Sequence, residues 1–225
     1  VGSSQSVSGP LVAMNTILAD SLEWVAEKLE KALAAKSDKT AAVITVLKEL
    51  MEKHGQVVFG GNGYSPEWHR EAVERRGLRN LRTAADALPV FKEEAIVALF
   101  ERVGVLTSKE LLSRFDVYAE QYIQSIEVEA KLVIDIATTR IFPAAIDHIS
   151  SLSKASAGLQ GTGLKLNDSG LKFAVSEANE LMTLVDQLKT AIGKHDFGSV
   201  EEHMKFCAGK ICPLMVSIRS HADAL

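Results

Sequence analysis

The sequence predicts an all-α fold, an antiparallel bundle of about six to eight helices with a glycine-rich loop. Apolar residues recur at intervals of three and four along most of the 225-residue chain, which is the period of an amphipathic helix. Strand signals are nearly absent, because only Gln56 to Phe59 could be extended, and so short a segment does not make a sheet. The low aromatic content of 6% fits aliphatic packing between helices with short connections.

Three helices are expected in the first third of the chain. Pro10 lies at the entry of the first, Gly55 closes the second, and Ser65 is a suitable N-cap for the third. The apolar repeat of the first helix consists of Leu11, Met14, Leu18, Leu22, Val25 and Leu29. The expected spans are Leu11 to about Lys36, Ser37 or Asp38 to about His54, and Ser65 to Gly77.

The remaining helices are longer on average and two of them contain proline. Pro143 and Pro213 each lie inside a helical pattern, so we expect a kink near Thr139 to Phe142 and a second kink in the last helix. A flexible loop is expected from Gly158 to Gly163. The expected helices run from Pro89 to Gly104, from the capping box Thr107-x-x-Glu110 towards Ala155, from Asp168 or Ser169 to about Ile192, and from the capping box Ser199-x-x-Glu202 onward.

Composition excludes several classes of protein. The net charge of −4 argues against a nucleic-acid surface. The sequence contains no apolar run of about 18 residues, so no membrane span is predicted. Two cysteines do not form a disulfide framework in a chain of this length, so we expect a reducing, cytoplasmic location. The sequence begins at Val1 and is patterned from its first residues, which indicates a piece of a longer protein.

The segment from Gly55 to His69 is the most informative part of the sequence. It joins an apolar run, a glycine-rich turn and a helix start, and such a turn can cradle a phosphate on backbone amides. No Lys-Ser/Thr pair follows and no G-x-G-x-x-G is present, so we favour a structural turn over a nucleotide site. We therefore expect a positive φ angle at one or more of Gly60, Gly61 and Gly63.

Histidine and cysteine side chains near the C-terminus raise the possibility of a zinc site. The candidate ligands are His195, His203, Cys207 and Cys212. His203 and Cys207 share a helix face, but on a straight helix Cys212 points to another side. A four-ligand site would need donors from another helix, and the sequence does not identify them. We therefore favour structural free cysteines and assign no metal-binding residue.

Two groups of charged residues are candidates for contacts or chemistry. One group of arginines is interleaved with carboxylates, which favours a solvated helix face or a subunit contact over nucleic-acid binding. It consists of Arg70, Arg75, Arg76, Arg79 and Arg82, with Glu71 and Arg75 expected to pair. A second group, Asp116, Glu120 and Glu127, is interpreted as a solvated face, because no basic or nucleophilic residue converges with it.

Glu129 falls within an apolar stripe of the longest predicted helix. The stripe is formed by Phe115, Tyr118, Tyr122, Ile126, Val133 and Ile136. A carboxylate on such a stripe must be paired, protonated or at an interface. We expect Glu129 to be buried and bonded to a donor on another segment, with a structural role.

Several segments of the chain match motifs of one enzyme family. Val57 to Trp68 resembles V-[VI]-F-x-G-[ND]-G-Y-S-x-E-W of the type III glutamine synthetases. Further matches are Val1 to Gln5, Ser8-Gly9-Pro10, Asn15-Thr16-Ile17, Glu71-Ala72, Arg76-Gly77-Leu78, Asn80-Leu81, Thr83, Asp86 to Pro89, Leu99-Phe100, Gly104 to Thr107, Glu110-Leu111, Ser113-Arg114, Tyr118, Ile126, Glu129-Ala130, Ile136-Ala137 and Pro143 to Ala145. The resemblance is strong over roughly residues 1 to 150 and rests on helical character beyond them.

The resemblance implies that the chain is part of a ligase that joins ammonia to glutamate with ATP and Mg or Mn. It implies a cytoplasmic homo-oligomer of stacked hexameric rings, with residues 1–36 as the tail of the catalytic domain and 37–225 as a C-terminal helical domain. The family's catalytic, nucleotide and metal motifs precede this segment, so we expect this chain to supply scaffold and subunit contacts and no catalytic or cofactor-binding residue. The alternative is a free-standing helical protein-interaction module.

Overall fold

The computed structural model describes residues 6–35, 38–164 and 166–225. Across these residues the chain forms ten α-helical segments and no β-strand, which confirms the predicted all-α class. Two pairs of segments are each joined by a π turn, so the ten segments make eight helices. The segments are α1 (Ser8–Ala35), α2 (Lys39–His54), α3 (Pro66–Glu74), α4 (Ala84–Ala87), α5 (Glu94–Arg102), α6 (Ser108–Ile136), α7 (Phe142–Gly158), α8 (Ser169–Ile192), α9 (Val200–Phe206) and α10 (Cys212–Ala224).

The chain divides into two compact units. The first unit comprises residues 1–82 and 90–113, and the second comprises residues 83–89 and 114–225. The predicted domain boundary between residues 36 and 37 lies outside the described residues, so that division stays a prediction.

Asp38 caps the second helix of the first unit. Its side-chain oxygens accept from the backbone N–H groups of Thr40 at 3.0 Å and Ala41 at 3.3 Å. The alternative cap, Ser37, and the matched segment at residues 1–5 both lie outside the described residues. A side-chain acceptor at this position satisfies amides that the first helical turn leaves without partners.

The first unit buries one face of α1. Thr16 is 1% exposed, and its hydroxyl donates to the carbonyl of Val12 at 2.8 Å, so this polar group is satisfied inside the packing. α2 packs against α1 and buries Ala42 and Val46. A second apolar cluster joins α1 to α5 and to the start of α6. Its buried members are Phe100, Leu106 and Leu111, with Val12, Phe91, Ile96 and Val97 packed against them.

The second unit is organised around α8. This helix packs against α7, α10 and both π turns. Its buried side chains recur every three or four residues along one stripe, which is the spacing that packs a helix between neighbours. They are Ala174, Ala178, Leu181, Val185, Leu188 and Ala191.

Each predicted proline kink coincides with a π turn in the structure. Ala137–Ile141 precedes Pro143, and Cys207–Ile211 precedes Pro213. In the first turn, the N–H of Phe142 donates to the carbonyl of Ala137, five residues back rather than four. Because proline has no N–H and its ring crowds the carbonyl four residues earlier, a wider turn keeps the helix going.

A core truncation on α8 should destabilise the fold, whereas a truncation on its exposed side should not. Leu181 has no exposed surface, so Leu181→Ala leaves a cavity and should lower the free energy of unfolding by about 2–5 kcal/mol. Phe173 on the same helix is 52% exposed, and Phe173→Ala should cost less than about 1 kcal/mol. Urea unfolding followed by circular dichroism measures both, and equal losses would contradict the assignment of α8 as the buried helix.

Candidate functional site

The glycine-rich segment begins with a tight turn and ends in a capped helix. Gly55–Val57 forms a 3₁₀ turn directly after α2. The side chain of Asn62 accepts from the N–H of Tyr64 at 3.0 Å, and the hydroxyl of Ser65 accepts from the N–H of Trp68 at 3.2 Å. These bonds satisfy local amides and direct the chain into α3, as the predicted N-cap requires.

Four side chains from this segment, from α3 and from the turn after α3 form one cluster. We call Phe59, Trp68, Glu71 and Arg76 the Arg76 cluster. The rings of Phe59 and Trp68 are stacked, with centroids 4.0 Å apart and planes 20° apart. The guanidinium carbon of Arg76 lies 5.0 Å from the Trp68 ring centroid and 5.4 Å from that of Phe59. Stacked rings under a guanidinium combine apolar packing with a cation–π attraction.

Arg76 also ties the 3₁₀ turn to α3 by hydrogen bonds. One terminal nitrogen, Nη1, donates to the carbonyls of Val58 at 2.7 Å and Gln56 at 3.2 Å. Nε and Nη2 donate to one carboxylate oxygen of Glu71, at 2.9 and 2.6 Å. Only a guanidinium presents this many donors in one plane while stacking on rings. Arg76 therefore fixes the conformation of the segment.

The prediction of a positive φ angle at Gly60, Gly61 or Gly63 is wrong. Among the described glycines, φ is positive at residues 77, 104, 161 and 163, so Gly60, Gly61 and Gly63 lie outside that region. Gly61 is needed for space instead, because a Cβ there would lie 2.5 Å from Cζ of Phe59. The left-handed conformation occurs at Gly77, where φ is 65° and α3 ends.

The arginine group divides into paired and exposed members. The expected pairing of Glu71 with Arg75 is wrong, since Glu71 binds Arg76. Arg79 binds Glu93, and Arg75 is exposed. The remaining two, Arg70 and Arg82, are exposed, and Arg70 lies 3.7 Å from Glu67. A solvated face thus describes most of the group, and Arg76 is its structural exception.

Tyr64 projects from this loop. Its exposed fraction is 93%, and Val57 and Val58 beside the loop are 59% and 60% exposed. The bond from Asn62 holds the backbone of Tyr64, and the Arg76 cluster holds the chain on both sides of it. A large aromatic ring presented on a fixed loop has the character of an interface anchor.

His203, Cys207 and Cys212 lie in the second unit. Nε2 of His203 lies 3.4 Å from Glu127, and its ring stacks on Phe197 at 4.2 Å. Burial, reinforced by Glu127, raises the pKa of the Cys207 thiol to about 11, so this thiol is unreactive at neutral pH. Cys212 lies 3.9 Å from the hydroxyl of Tyr122, whose pKa is raised by burial and by the neighbouring cysteine.

His195 and His203 line a shallow groove of about 280 Å³ with Phe197. Two kinds of site have no counterpart in the described parts of the chain. No three His, Cys, Asp or Glu side chains come together there as metal ligands. None of the helices among the described residues is both long enough and apolar enough to cross a bilayer.

The predicted burial of Glu129 is wrong. Glu129 is exposed, whereas Glu127 is half-buried and pairs with His203. The solvated-face interpretation therefore holds for Asp116 and Glu120, which are exposed, and is wrong for Glu127. The buried positions of α6 are Leu111, Phe115, Ala119, Ile123 and Ala130. Each step of four residues rotates such a stripe by about 40° around the helix, so near residue 129 the buried stripe faces a different side from Glu129.

The fold and the Arg76 cluster define an all-α domain in which the guanidinium of Arg76 and the stacked rings hold a glycine-rich loop against the short helix α3. The chain belongs to the family described as the glutamine synthetase C-terminal domain, which matches residues 42–160. The matched range contains the whole Arg76 cluster and the exposed Tyr64.

Three curated relatives carry the name glutamine synthetase. The type-3 glutamine synthetase of Dictyostelium discoideum is 29% identical over 240 aligned positions, which cover 100% of this chain and 32% of that protein. The glutamine synthetase of Butyrivibrio fibrisolvens is 35% identical over 48% of this chain and 15% of its own length. That of Bacteroides fragilis (strain YCH46) is 28% identical over 67% and 21%. The chain thus spans about a third or less of each relative.

Substitution of Gly61 should disturb the stacked rings, and substitution of its neighbours should not. Gly61→Ala places a methyl group against Phe59 and should lower the free energy of unfolding by about 1–3 kcal/mol. Gly60→Ala and Gly63→Ala meet open space and should change it by less than about 1 kcal/mol. Urea unfolding of the three variants is the measurement, and a neutral Gly61→Ala would show that Phe59 is free to move.

Replacement of Arg76 by lysine should be costly although the charge is kept. Arg76→Lys removes the guanidinium that hydrogen-bonds Glu71 and two backbone carbonyls, and should lower the free energy of unfolding by about 1–3 kcal/mol. Arg70→Lys is the matched control, because the Arg70 side chain is 69% exposed and its nearest carboxylate is 3.7 Å away. If both variants unfold at the same denaturant concentration, the fork does not stabilise the segment.

Proposed function

We propose that this chain is the C-terminal part of a glutamine synthetase, an ATP-dependent ligase that joins ammonia to glutamate. The observation that carries the proposal is the alignment of the whole chain with a type-3 glutamine synthetase of which it covers 32%. The match of residues 42–160 to the glutamine synthetase C-terminal domain supports a C-terminal position in the parent.

In this proposal the chain provides scaffold and subunit contacts. The Arg76 cluster supports a scaffold role, because its guanidinium bonds to a carboxylate and to backbone carbonyls of the chain itself. Mg or Mn and ATP are proposed to bind other parts of the parent enzyme. No step of the reaction is assigned to a residue of this chain.

The proposed partners are the other parts and subunits of the parent enzyme, a cytoplasmic homo-oligomer of stacked hexameric rings. Exposed apolar side chains on the first unit support subunit contacts, above all Tyr64 and Val58. The net charge of −4, and the pairing of Arg76 and Arg79 with carboxylates, favour protein partners over nucleic acid.

Activity measurements on two proteins test the proposal. The full parent protein should form glutamine, or γ-glutamyl hydroxamate from hydroxylamine, in a reaction that requires ATP and Mg or Mn. The purified chain should show strong helical circular dichroism and no activity above background. Activity of the chain alone would overturn the scaffold role, and an inactive, folded parent would overturn the enzyme assignment in favour of a helical interaction module.

A further inference from the structure

Cys207 and Cys212 lie at the two ends of the second π turn. The N–H of Cys212 donates to the carbonyl of Cys207, five residues earlier. On a regular α-helix this separation turns two side chains about 140° apart, whereas residues joined by the helical hydrogen bond are neighbours on one face. In a π turn the fifth residue is the bonded one, so the turn brings the two cysteine side chains towards the same side of the helix.

Tyr122 of α6 marks the side to which both thiols turn. Its hydroxyl lies 3.9 Å from Sγ of Cys212. Burial raises the pKa of Tyr122, and Cys212 and Cys207 both add to that rise. Cys212 also contributes, after burial and Glu127, to the raised pKa of the Cys207 thiol. The two thiols are therefore near one phenol and near each other, on the side of the helix that faces α6.

The two thiols differ in their access to solvent. Cys207 has no exposed surface, whereas Cys212 is half-buried, and both are free. A reagent in solution therefore reaches the sulfur of Cys212 and does not reach that of Cys207. With a pKa of about 11, Cys207 does not start an exchange reaction at neutral pH. It needs no access to solvent for a second step, because the sulfur that it would attack belongs to its neighbour on the helix.

We propose that Cys207 and Cys212 form a thiol–disulfide exchange site, which takes a small disulfide such as oxidised glutathione and closes into a disulfide across the π turn. Cys212 is the attacking cysteine, and Cys207 is the buried cysteine that resolves the intermediate. This inference goes beyond the proposed ligase function and does not depend on it.

The reaction balances in two steps. The Cys212 thiolate attacks one sulfur of the small disulfide, the S–S bond of that molecule breaks, and one small thiolate leaves and takes up a proton from water. Cys207 then gives its proton to water, its sulfur attacks the sulfur of Cys212, and the second small thiolate leaves and is protonated. The two cysteines are oxidised by two electrons in all, and the small disulfide is reduced to two thiols.

The position of the site in the fold gives this closure a structural consequence. The π turn contacts α8, and α10 begins at Cys212. Because interiors are close-packed, drawing the sulfur of fully buried Cys207 onto that of Cys212 changes the packing at this contact. The redox state of the two cysteines is thereby coupled to the packing of the second unit.

Mass spectrometry of the folded chain tests the proposal. The purified protein is incubated with oxidised glutathione at neutral pH, free thiols are blocked with a maleimide at successive times, and the protein is digested with trypsin. Cleavage after Lys210 separates the two cysteines, so the disulfide appears as a linked pair of peptides. Circular dichroism of the same samples shows whether the chain is folded when it reacts. Two variants identify the steps, Cys212→Ser and Cys207→Ala.

The expected result for the unmodified chain is the linked pair of peptides, with both thiols lost together and no lasting glutathione adduct. Cys207→Ala should stop at a glutathione adduct of Cys212, and in Cys212→Ser the remaining thiol should react at least roughly tenfold more slowly than Cys212 does. A glutathione adduct that persists on Cys212 of the unmodified chain would overturn the proposal. So would chains linked to one another through Cys212, or closure that occurs only after unfolding in urea. The result for the unmodified chain decides even if Cys207→Ala does not fold.

Discussion

Proline is the constraint on which the second unit depends. Pro143 and Pro213 each remove one backbone donor from a helix that must continue, and the chain responds at both places with a π turn rather than a break. Both π turns contact α8, the helix whose side chains are most deeply buried. Each change in the helical hydrogen-bond pattern therefore lies at a contact with the most deeply buried helix of the unit.

The first unit holds an irregular segment, residues 55–65, without using a β-sheet or a disulfide. The side chain of Arg76 holds this segment, because it bonds two backbone carbonyls, pairs with a carboxylate and covers two stacked rings. Gly61 completes the arrangement by leaving room for the ring of Phe59. The result is a loop that presents Tyr64 to its surroundings in one conformation, which suits a domain proposed to contact other parts of an enzyme.

Local chemistry could be predicted from the sequence, and long-range packing could not. The cap at Ser65 and the irregular helical turns before the two prolines depend on neighbours a few residues away, and an irregularity was predicted at each place. The positions of Glu127 and Glu129 depend on how a stripe drifts along a helix of 29 residues, which a fixed helical phase does not capture. The role of Gly61 depends on a ring held by Arg76, and the pairing of Arg76 with Glu71 spans the end of α3, so no regular helical spacing reveals it.

The distribution of tryptophan gives the protein a built-in optical label. The chain has two tryptophans, Trp24 and Trp68, and both belong to the first unit. Trp68 is stacked in the Arg76 cluster, and Trp24 lies edge-on to the ring of His54 between α1 and α2. Indole fluorescence therefore reports on the first unit alone, whereas far-ultraviolet circular dichroism reports on helices throughout. A difference between the two signals during unfolding would separate the stabilities of the two units without any added probe.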